Sequence, residues 1–126
     1  MFSHVMLGAN NVEESKRFYD AILGELDIKP GVMDELGRCF YMTDKGVFVL
    51  TKPINGEPAC HGNGSTLGFA ASSPELVEKW HEVGLENGGT ACEDPPGLRS
   101  NGKLSLYLAY LRDPSGNKIC ALHRPK

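Results

Sequence analysis

The chain has 126 residues, the size of one domain with a single hydrophobic core of its own. Its formal charge of −3 is spread without blocks of either sign, which leaves no basic stripe to neutralise phosphates and excludes nucleic acid as the main partner. No apolar run approaches a membrane span and the N-terminus lacks a signal-peptide pattern, so a cytoplasmic protein without a membrane partner is expected.

Phe2 to Leu7 carries apolar residues on both faces and predicts a strand inside a covered sheet, with His4 the only polar residue on its side. Asn11 is placed to cap a helix from Val12, with Glu14 three residues on, a stripe of Phe18, Tyr19, Ile22 and Leu23, and a stop at Gly24. A weak strand around Val32-Met33 follows. Arg38 to Met42 then turns at Thr43-Asp44-Lys45-Gly46 into Val47 to Thr51, a hairpin. Lys52 to Ser65, rich in Pro and Gly, reads as a connection.

The same order then recurs. Thr66 to Ala71 predicts a strand, and Ser73 with Pro74 opens a second helix whose buried face runs through Leu76, Val77 and Trp80 to a stop at Gly88-Gly89. Thr90 to Glu93 reads as a short strand, and Asp94 to Gly102 as an irregular loop. Leu104 to Tyr110 and Lys118 to Leu122 form a final hairpin around Asp113-Pro114-Ser115-Gly116-Asn117, where Pro114 presets φ and Gly116 or Asn117 takes positive φ. The expectation is one domain over 1–126, built from module one (about 1–52), a linker (about 53–65) and module two (about 66–126).

Asp113-Pro114-Ser115-Gly116-Asn117-Lys118-Ile119, the opening Phe2-Ser3-His4-Val5 before a helix carrying Arg17-Phe18-Tyr19, and Gly62-Asn63-Gly64 before the fifth strand resemble the vicinal oxygen chelate superfamily. That group holds glyoxalase I, bleomycin-resistance proteins and extradiol dioxygenases. The resemblance implies an α+β fold of two βαβββ modules pairing into a curled mixed sheet with helices on the outer face. It also implies a small-molecule ligand and a homodimer. Metal-binding members place ligands on the first and last strand of each module, and these positions fall here on His4, Val49, Thr66 and Cys120. Only His4 is of the usual type, since Val49 has no donor, Thr66 is a poor one and a Cys120 thiolate prefers softer ions.

No cofactor is therefore expected, with a divalent metal as the alternative, and the pocket reads as apolar with His4, Thr66 and Cys120 as polar points. For His4 a hydrogen-bonded core imidazole competes with pocket lining, and for Cys120 a buried hydrophobe competes with a nucleophile. Strand alternation puts Tyr110 and Arg112 on one face and Tyr107 on the other, so one tyrosine at most lines the pocket. Arg99 can meet an anionic ligand or be a solvated arginine. The four cysteines form no Cys-x-x-Cys pair, and free thiols are expected. Three functions stay open: a metal-independent binding protein, a metal-dependent glyoxalase-like lyase or dioxygenase, and an interaction module whose pocket has collapsed.

Overall fold

The opening segment alternates across its backbone and runs as strand β1 (His4–Gly8) beside β4 (Gly46–Thr51), parallel, with His4 facing Val47 and Met6 facing Val49 in register. These details come from a computed structural model that describes residues 1–125. Strand β3 (Cys39–Thr43) joins β4 antiparallel, and β2 (Val32–Met33) adds the far edge, giving the order β1-β4-β3-β2.

The second half repeats this topology. Strand β5 (Leu67–Ala70) lies parallel to β9 (Lys118–His123), and β9 is antiparallel to β8 (Leu104–Arg112). The short β6 (Thr90–Ala91) and β7 (Gly97–Asn101) both pair with β8. Gly68 faces Cys120 just as Met6 faces Val49, so the repeat holds to the register of single residues.

The irregular loop expected over 94–102 is corrected by this topology. Its second half is β7, which takes its hydrogen bonds from the nine-residue β8 and turns at Gly102, where φ is +62°. Helix α1 (Val12–Gly24) starts as its sequence requires, with Asn11 Oδ1 accepting from the Glu14 N–H. Helix α2 (Pro74–Glu86) starts on Ser73, whose hydroxyl accepts from the Leu76 N–H.

Each helix covers one face of its own sheet, and the two helices also pack on each other. Gly84 and Gly89 make this approach possible. A Cβ at Gly84 would meet Leu111, Ile22 and Phe18, and one at Gly89 would stand 2.6 Å from Phe18 Cε1. Phe18, Tyr19, Ile22, Trp80, Leu111 and Ile119 are fully buried in the resulting core, and Phe48 of the first sheet meets Phe69 of the second edge-to-face at 5.7 Å. The two sheets are separate within the chain, and each packs one face against this shared core. Their other faces look away from it.

Candidate functional site

Strand alternation decides which side chains stand on these open faces. On the first sheet they are His4 and Met6 of β1, Val47 and Val49 of β4, and Phe40 and Met42 of β3. On the second they are Gly68 of β5, Lys118, Cys120 and Leu122 of β9, and Leu106, Leu108, Tyr110 and Arg112 of β8, with Arg99 of β7 beside Leu106. Val49, Leu108 and Cys120 are buried, yet none belongs to the core cluster between sheets and helices.

The six residues singled out from sequence are thereby divided. His4 and Val49 lie on the first open face, and Thr66, Cys120, Tyr110 and Arg99 on the second. His4 is exposed, with Nδ1 2.8 Å from Ser3 Oγ. Thr66 is exposed and immediately precedes β5. Tyr110 pairs with Cys120, whereas Tyr107 turns toward the helices and donates to Glu78 Oε2 at 2.6 Å, as alternation requires.

Electrostatics fix the state of the polar groups. Burial, helped by the nearby Glu93 carboxylate, pushes the Cys120 thiol up to about 11, so it is protonated at neutral pH and is not an activated nucleophile. Burial also raises the Tyr110 phenol, with Cys120 and Glu93 next in effect, leaving a neutral hydroxyl. Lys118 pairs with Glu93 and places its Nζ 5.0 Å from the centre of the Tyr110 ring. Arg99 folds back along β7: Nη1 donates to the carbonyls of Pro95 and Gly97 at 3.0 and 3.1 Å, and Nη2 to that of Asp94 at 3.0 Å.

A cavity of about 930 Å³ opens beside the first sheet at the α1 N-terminus. Met6, Val12, Met33, Leu36, Pro53 and Ile54 give it an apolar lining, and Arg38 and Lys52 stand among its polar groups. None of the six singled-out residues lines it; Met6, the register neighbour of Val49, joins it to the open face. Its loop residues carry no periodic signal in the sequence that could have marked them as a lining.

A family model described as glyoxalase/bleomycin resistance protein/dioxygenase superfamily matches residues 1–121. The chain belongs to this superfamily. A solved glyoxalase/bleomycin resistance protein from Albidiferax ferrireducens T118 is 63% identical over 98% of this chain and 99% of its own, with a TM-score of 0.94. Two more distant superfamily structures share the fold. One, a glyoxalase-related enzyme from Fulvimarina pelagi, is 19% identical over 99% of this chain and 88% of its own, with a TM-score of 0.77. The other, a lactoylglutathione lyase from Agrobacterium tumefaciens, is 18% identical over 98% and 92%, with a TM-score of 0.68. No curated protein matches the chain.

The metal of many superfamily members does not fit the donors present. Among the described residues, no group of three or more His, Cys, Asp or Glu side chains could hold an ion. The four repeat-related positions offer one imidazole, one isopropyl group, one hydroxyl and one protonated thiol. Among the described residues no helix is long and apolar enough to cross a membrane.

Proposed function

We propose that this chain is a metal-independent, small-molecule-binding member of the superfamily, acting in the cytoplasm as a homodimer of single two-module domains. The donor set carries the reading. Combining the His4 and Val49 half of one copy with the Thr66 and Cys120 half of another still supplies a single strong ligand for a hard or borderline divalent ion. The cavity of about 930 Å³ supports ligand binding over a collapsed interaction module.

Support for the dimer comes from the sheet edges. Strands β1 and β5 are both terminal in their sheets and present an unpaired edge. The first open face exposes Met6, Val32 and Met42, a hydrophobic surface that a monomer leaves in water. Pairing across a twofold axis would face each first sheet with the partner's second sheet and close a cup with His4 and Val49 on one wall. Thr66, Cys120, Tyr110 and Arg99 would form the other.

The test is sedimentation equilibrium together with titration of the neutral fluorescent probe 1-N-phenylnaphthylamine, before and after treatment with a chelator. A dimer that binds the probe equally in both conditions is expected. Binding or assembly lost on chelation and restored by a divalent ion would overturn the reading in favour of the metal-dependent lyase or dioxygenase.

A further inference from the structure

The open face of the second sheet concentrates positive charge in a chain whose net charge is −3. Arg99, Arg112 and Lys118 stand on it, and no strand residue of that face is acidic. Lys118 is already paired with Glu93. Among the described residues neither arginine is paired with a carboxylate: Arg99 bonds three main-chain carbonyls, and Arg112 donates to that of Gly116 at 3.1 Å. Carbonyls orient a guanidinium without cancelling its charge.

Tyr110 stands between the two arginines along β8. Arg112 is two residues beyond Tyr110 on the same face, with its guanidinium held at the Gly116 carbonyl. The Arg99 guanidinium reaches back to Gly97, which faces Leu108, two residues before Tyr110. The phenol forms no hydrogen bond among the described residues. Next to this group Leu106, Leu108 and Leu122 give the face an apolar floor.

We infer that this face selects ligands with a carboxylate or similar oxyanion on an apolar body, the anion meeting Arg99, Tyr110 and Arg112 and the body lying on the leucines. This rests on the pocket reading above and adds its chemical class. Burial behind the partner's sheet would lower the local dielectric and strengthen the pairing.

Naphthalene-2-carboxylate and naphthalene-2-carboxamide differ little in shape and test this by competition against 1-N-phenylnaphthylamine. The carboxylate is expected to bind about tenfold more tightly, the size of one charge-assisted hydrogen bond. The preference should shrink at high salt and in Arg112→Met, and persist in Lys45→Met at the far hairpin. Arg99→Met should lower it too but also releases the loop at Asp94, so Arg112→Met, which keeps that clamp, decides. Equal binding of the two compounds with the neutral probe still bound overturns this inference alone. Failure of all three to bind overturns the pocket reading as well. Inorganic phosphate competing as strongly as the carboxylate would overturn the role of the apolar floor.

Discussion

Tyr19 and Asp113 are 94 residues apart and share a hydrogen bond of 2.6 Å, donated by the phenol to a carboxylate that is 3% exposed. It ties the first helix to the turn between the last two strands, so the halves of the repeat are joined by a polar latch as well as by packing. Burial and Asp113 itself hold the Tyr19 hydroxyl protonated, so it remains a donor. Asp113 also accepts from the Ser115 and Asn117 N–H groups and from Asn117 Nδ2, which in turn donates to the Gly8 carbonyl at 2.8 Å. Removing the phenol by Tyr19→Phe should cost about 1–3 kcal/mol, because a buried carboxylate loses a donor. Urea unfolding measures this, and a change near zero would contradict the latch.

At the helix contact, Gly89→Ala places a methyl 2.8 Å from the Gly84 carbonyl oxygen and 2.6 Å from Phe18 Cε1. Backbone cannot yield as a side-chain tip can. A loss of about 1–3 kcal/mol is expected in the same unfolding assay.

Asp27 lies just past the first helix with φ at +61° and is exposed. A non-glycine residue there carries conformational strain, and this side chain forms no hydrogen bond among the described residues. Asp27→Gly should therefore stabilise the protein by up to about 1 kcal/mol. A lower unfolding midpoint would contradict this.

Cysteine chemistry should divide by burial. Cys60 is exposed and should react with iodoacetamide at neutral pH, while Cys39 and Cys120, both buried with raised pKa values, should react only on unfolding. Peptide mass mapping reads the order. The same shift gives a pH dependence: with Cys120 at about 11 when folded and 9.0 as the reference, the folded state holds the proton more tightly. Stability is then unaffected by this group below about pH 9 and falls between about 9 and 11, by at most about 2–3 kcal/mol. Cys120→Ala should flatten the alkaline limb.

The repeat, both helix caps and the final turn were legible because each rests on local chemistry: Asn11 and Ser73 before apolar stripes, and Asp113-Pro114-Ser115-Gly116 between alternating runs. Strand β7 was not. Pro95 and Pro96 precede it, Arg99, Ser100 and Asn101 show no apolar alternation, and the segment becomes a strand only because β8 offers it a partner. Alternation placed Tyr110 and Tyr107 on opposite faces, but no local signal told that the helices would pack on each other and turn the open faces of the sheets outward. The walls of the large cavity come from loops brought together by the fold, so Met33, Leu36, Lys52 and Ile54 could not be found by spacing.

A metal-independent pocket requires that the four repeat-related positions, His4, Val49, Thr66 and Cys120, hold no metal. Its most direct test is the metal content of untagged protein purified without chelators, followed by thermal unfolding with nickel, zinc, manganese and ferrous iron. Protein free of stoichiometric metal, with no rise in Tm from any of these ions, is expected. One tightly bound ion per chain, with the stabilisation that specific binding to the folded state produces, would contradict it.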